Sequence, residues 1–173
     1  MSSGQLRQSQ GPSLYTAAER QRRDASRWTM VQGILAPVQF VIFLISLWLV
    51  VRYLISGVGE DAATASIVIK TLALYTIMIT GAIWEKDVFG RYLFAPAFYW
   101  EDMVSMLVLA LHTAYLIALF TGALSVTSLM LLALAAYAAY VINAAQFVLK
   151  LRTARLQSPH NQRVDMSALE AAE

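Results

Sequence analysis

Glu85, Glu101 and Asp102 are the side chains in this sequence best placed to do chemistry, because each carboxyl group lies within or beside an apolar stretch. An ionisable group in hydrocarbon costs several kcal/mol, so each needs a partner or a purpose. A carboxyl taken out of water holds its proton more readily, which makes it a usable general acid. Glu101 and Asp102 are adjacent, and Trp84-Glu85-Lys86-Asp87 echoes Trp100-Glu101-Asp102 on the other side of one connection. On a helix of about 3.6 residues per turn, Glu101, Ser105, Val108, His112 and Tyr115 share one stripe, with Asp102 on its flank. The stripe carries a carboxyl at one end and an imidazole ~16 Å further along. Ala110, Ala114 and Ala118 form a small-residue ridge on the opposite flank, a spacing suited to close helix packing. Elsewhere, Lys70 lies inside an apolar block, Gln32, Gln39 and Ser46 recur every seven residues, and Tyr140, Asn143, Gln146 and Lys150 make a further polar flank. Each has a plainer reading. The acids suit the positive end of a helix, Lys70 can snorkel to an interface, His112 can bond a neighbouring helix, and the amides can hold helices together.

These residues have to be positioned by membrane helices. The chain has 173 residues, 58% hydrophobic and 14% charged. The apolar residues collect in four blocks, approximately 28–55, 62–84, 100–120 and 126–149. Each is close to the roughly 20 residues that cross a bilayer. The expected fold is an all-α integral membrane protein, a four-transmembrane-helix bundle occupying 15–156. A polar N-terminus, 1–14, is expected to be disordered and lacks the pattern of a signal peptide. A polar tail covers 157–173. The segment 17–27 reads as an amphipathic surface helix, Pro37 as a kink in the first span, and 85–99 as an interfacial loop. Lys and Arg gather before the first span, between the second and third, and after the fourth. This places both termini and the long loop in the cytoplasm. Arg52 is the contrary residue and can snorkel outward. Trp28, Trp84, Tyr99 and Trp100 fall at the same boundary, as an aromatic belt would. The absence of cysteine excludes disulfides and thiolate metal sites. One histidine in the spans is too few for a bis-histidine haem. No Glu-x-x-His pair or phosphate-binding glycine loop occurs. A net charge of +2 gives no argument for nucleic acid.

Three stretches carry a resemblance: ERQRRDASRWTMVQGILAPVQF, LYTIMITGAIWEKDVFGRYLFAPAFYWEDMVSMLVLALHTAYLIAL and YVINAAQFVLKLRTARL. Together they resemble the vinyl bacteriochlorophyllide hydratase family of phototrophic bacteria, over roughly 15–156. The resemblance implies a hydro-lyase of bacteriochlorophyll biosynthesis in the bacterial inner membrane. It adds water to the 3-vinyl group of chlorophyllide or bacteriochlorophyllide to give the 3-(1-hydroxyethyl) product. No cofactor is expected, since hydration moves no electrons and the magnesium travels with the tetrapyrrole. The partners implied are that tetrapyrrole and the lipid bilayer, with room for a homo-oligomer or contacts with other pigment enzymes. The chemistry asks for an acid, taken as Glu101 or Asp102 with Glu85 as a further candidate. A second carboxylate would stabilise the cation and guide water. His112 would relay the proton or ligate the substrate magnesium. Trp84, Trp100, Phe98, Tyr99, Gln39, Asn143 and Lys70 would contact substrate, with Phe89, Tyr92 and Phe94 as further aromatic walls. Two readings from other classes remain beside it: a membrane assembly factor or pigment carrier for photosynthetic complexes, and a small quinone-binding subunit.

The expected topology is tested by alkaline phosphatase fusions. Fusion after Val58 should be active, and fusions after Tyr92 and after Leu156 inactive; the reverse pattern would invert the orientation.

Overall fold

In the computed structural model, residues 14–156 are described, with side chains to Ala154. Apart from Leu14, the polar N-terminus lies outside the described residues, as does the tail 157–173. The chain forms α1 (Ala17–Ala25), α2 (Arg27–Ser56), α3 (Glu60–Phe89), α4 (Tyr99–Thr121) and α5 (Val126–Leu156). The last four are long and apolar enough to cross a membrane. Adjacent long helices pack as two hairpins, α2 on α3 and α4 on α5. Contacts of α2 with α5 and of α3 with α4 close the bundle.

Local chemistry sets the helix ends. Thr16 and Glu19 make a reciprocal capping box that starts α1. Ser26 ends α1 and caps α2, accepting from the Trp28 N–H. Its hydroxyl also donates to Asp87 of α3. Trp84 Nε1 donates to Thr29 Oγ1 at 2.9 Å. The segment expected to lie at the membrane surface is held to the end of α3 through Ser26. α2 passes through Pro37 as one helix. Gly90, at φ 82°, stops α3 in a left-handed cap that a side chain would strain. α3 therefore runs beyond the expected boundary at Trp84 and carries Glu85 on a helix. The connection shrinks from 85–99 to 90–98.

The interior is polar as well as apolar. Ser46 bonds both Ser66 and Tyr137, joining α2, α3 and α5. Gln32 donates to Thr80 at 2.7 Å, and Tyr75 bonds Thr113 at 2.8 Å. The heptad Gln32, Gln39 and Ser46 does face inward. The expected alanine ridge does not pack as expected. Ala118 is buried, but Ala110 and Ala114 are exposed beside Leu107 and Ile117, on the side left for lipid.

Candidate functional site

Three elements meet at the end of the bundle formed by the C-terminal turns of α3 and α5 and the first turn of α4. Glu85 comes from α3, Glu101 and Asp102 from α4, and Lys150 from α5. Glu85, Glu101 and Asp102 are only 4%, 7% and 3% exposed. The sequence stripe accounts for this: Glu101, Ser105, Val108, His112 and Tyr115 are all buried on one face of α4. Adjacent Asp102 points far enough round the helix to meet Glu85, and their side chains interact directly.

Each carboxyl has a different answer. Glu101 accepts from Lys150 Nζ at 2.5 Å. Asp102 accepts the Phe94 backbone N–H at 2.7 Å, and Glu85 accepts the Ala95 N–H at 3.2 Å. Phe94 has φ 59°, a left-handed conformation that costs a bulky residue energy. It turns two successive N–H groups of the 90–98 connection toward the two acids, in the manner of an anion-binding nest. Asp102 and Glu85 therefore hold the connection, and no cation bonds either side chain among the described residues. Asn143 Nδ2 donates to the Glu101 carbonyl at 2.9 Å, and Ser105 donates to Asn143 Oδ1 at 3.2 Å. These bonds lock α4 against α5 beneath the pair. A cavity of ≈ 400 Å³ adjoins them, lined by Leu14, Glu101, Gln146, Leu149, Lys150, Thr153 and Ala154. Of the three acids, only Glu101 lines it.

The expected aromatic walls divide. Phe98 is buried, stacked on Phe147 and edge-on to Trp84 and Phe89. With Tyr15 they form a small core that seals this end of the bundle. Burial pushes the Tyr15 hydroxyl above its ordinary value, and Arg23 beside it pulls the other way. Tyr92, Tyr99 and Trp100 face outward, Trp100 with 70% of its surface free.

Lys70 does not snorkel. It is fully buried, with Nζ 3.9 Å from the centre of the Tyr140 ring and no hydrogen-bond partner among the described residues. It is not bonded to His112 either. His112 Nδ1 donates to the Val108 carbonyl at 2.8 Å, which leaves Nε2 as an acceptor, buried and without a partner among the described residues. The Gln39 carbonyl oxygen is likewise buried, with no hydrogen-bond partner among the described residues. These groups lie deeper in the bundle than the acids. Among the described residues no cluster of three His, Cys, Asp or Glu side chains is arranged to hold a metal ion. The two backbone donors have no separate signal in the sequence. Lys150 reads there as part of the polar flank with Tyr140, Asn143 and Gln146 and as one of the basic residues closing a span, without its partner Glu101.

The family model described as 2-vinyl bacteriochlorophyllide hydratase matches residues 15–153. A curated 2-vinyl bacteriochlorophyllide hydratase of Rhodobacter capsulatus is 68% identical over 145 residues, 84% of each chain. One of Cereibacter sphaeroides is 68% identical over 143 residues, 83% of this chain and 89% of its own. No solved structure matches.

If Asp102 anchors the 90–98 connection, Asp102→Ala should raise tryptic cleavage after exposed Arg91 several-fold in detergent. Unchanged cleavage would mean that the connection is held without it.

Proposed function

Since the chain belongs to the 2-vinyl bacteriochlorophyllide hydratase family, we propose that it hydrates the vinyl group of a (bacterio)chlorophyllide with Glu101 as the proton donor. The observation that carries the residue assignment is the buried carboxyl cluster, of which Glu101 lines the cavity described above. The reaction is that of a hydro-lyase and the chain is a multi-pass membrane protein. The distribution of Lys and Arg supports a cytoplasmic position for the cluster, in a bacterial inner membrane.

A vinyl group is activated for water by protonation of its terminal carbon. The Glu101 carboxyl gives that proton, and the cation left on the inner carbon spreads into the macrocycle. Water attacks the inner carbon and returns one proton to Glu101, which restores the acid. Glu85 and Asp102 share one proton between them, because two buried carboxylates in contact would repel. The single negative charge they keep lies behind Glu101, away from the cavity lining, and acts on the cation through space. We assign no proton transfer to His112. Its N–H is held by Val108, and it lies roughly 16 Å along α4 from Glu101. Its Nε2 is buried away from the described cavity, so no ligation of the substrate's magnesium is assigned to it. Nothing in these steps calls for a redox group. Outward-facing Tyr99 and Trp100 would meet the macrocycle as it arrives from lipid.

Purified protein in detergent, given 3-vinyl chlorophyllide, should form a product heavier by one water. Glu101→Gln should lower the rate by about 10²–10⁴-fold, the usual worth of a general acid, with the protein still inserted. Full activity in that variant would remove Glu101 from the chemistry. Tight binding without conversion by the wild-type chain would favour a pigment carrier.

A further inference from the structure

The cavity beside Glu101 has a polarity that hydration alone does not call for. Its apolar wall comes from Leu14, Leu149 and Ala154, and its polar groups are Gln146, Lys150 and Thr153 beside Glu101. Gln146, Lys150 and Thr153 are four and three residues apart, so they form one face of α5. The Lys150 ammonium has three donors, of which Glu101 takes one. Its side chain keeps a quarter of its surface free while that of Glu101 is 9% exposed. The cation is thus the more accessible half of a pair that closes the cavity floor. An apolar slot with one reachable ammonium fits an amphiphile that ends in a carboxylate. Vinyl hydration does not involve a carboxylate, but a chlorophyllide is a free acid and carries one on its propionate arm.

We infer that Lys150 binds the propionate carboxylate of the macrocycle and exchanges Glu101 for it, an inference that rests on the hydratase reading above. In the empty protein the Lys150 ammonium pairs with Glu101. When the substrate's carboxylate takes the ammonium, Glu101 is released from its cation beside the cavity. Substrate anchoring and the freeing of the acid then become one event. No covalent bond forms in the exchange. Lys150 is a specificity-determining residue: it distinguishes a free acid from its ester, and its exchange of partners sets what Glu101 is paired with.

The test compares binding of 3-vinyl chlorophyllide and its methyl ester, titrated by the absorbance and fluorescence of the pigment. The wild type should bind the acid roughly tenfold or more tightly than the ester, as a charge-assisted hydrogen bond would give. K150R should keep the preference and K150M should lose it. K150M strands a buried carboxylate and can fail to fold, so E101Q/K150M, which removes both charges together, is the second variant and should also show no preference. E101Q alone frees Lys150 and should bind the acid more tightly than the wild type does. That gain is not expected if Lys150 serves only to pair Glu101. An acid preference that persists in E101Q/K150M, or is absent in the wild type, overturns the inference. Hydration by the wild type is scored separately by mass. A chain that hydrates both acid and ester without preference loses this inference alone, whereas a chain that hydrates neither loses the earlier reading.

Discussion

A carboxyl group in the apolar part of a membrane protein is stable only if some other element answers it. The rest of this structure follows from how three such groups are answered at one end of the bundle. Glu101 requires the last turns of α5 to come within reach, because its cation is Lys150. Asp102 and Glu85 require the 90–98 connection to fold back, because their donors are the N–H groups of Phe94 and Ala95. Each demand fixes a geometry that the apolar faces alone would leave loose. The left-handed Phe94 is the local cost of presenting both donors at once. Asn143, bonded to the Glu101 backbone, sets the register of α4 against α5 so that the ion pair can form.

The same constraint divides the interior into two polar zones. Near the acids, every carboxyl has a partner and one of them opens on a cavity. Deeper in, Lys70, His112 and Gln39 are buried with polar atoms that have no partner among the described residues, although Ser46, Ser66 and Tyr137 are hydrogen-bonded. The first zone has an outlet for a proton and a water, which is what vinyl hydration needs. The second has the free imidazole nitrogen and no described opening. This difference is why the acid–base work is assigned to Glu101 and none to His112.

Much of this was legible in the sequence, and the failures share one cause. The four spans and the inward stripe of α4 follow from apolar length and helical period, which are local properties, and the meeting of Glu85 with Glu101 and Asp102 follows from their places at the two ends of one short connection. Partners across helices are not local. Lys150 resembled a topology signal because nothing in its neighbourhood says that a glutamate 49 positions earlier will reach it. Lys70 was open to a snorkelling reading because the Tyr140 ring that covers it belongs to another helix. The backbone donors at 94 and 95 have no side-chain signature at all. The alanine ridge misled for the opposite reason. Small-residue spacing is local, but whether a neighbour occupies that face is decided by the whole bundle, and here Ala110 and Ala114 are left facing outward.

In the resting protein Glu101 is paired with Lys150, and Glu85 and Asp102 should hold one proton between them. That proton is detected most directly by the infrared carbonyl stretch of protonated carboxyl groups, recorded at neutral pH in a detergent without ester groups. The wild-type chain should show a protonated-carboxyl band that shifts on exchange into D₂O and is absent from E85Q/D102N. A wild-type spectrum without such a band, or a band unchanged in that variant, would contradict the shared proton.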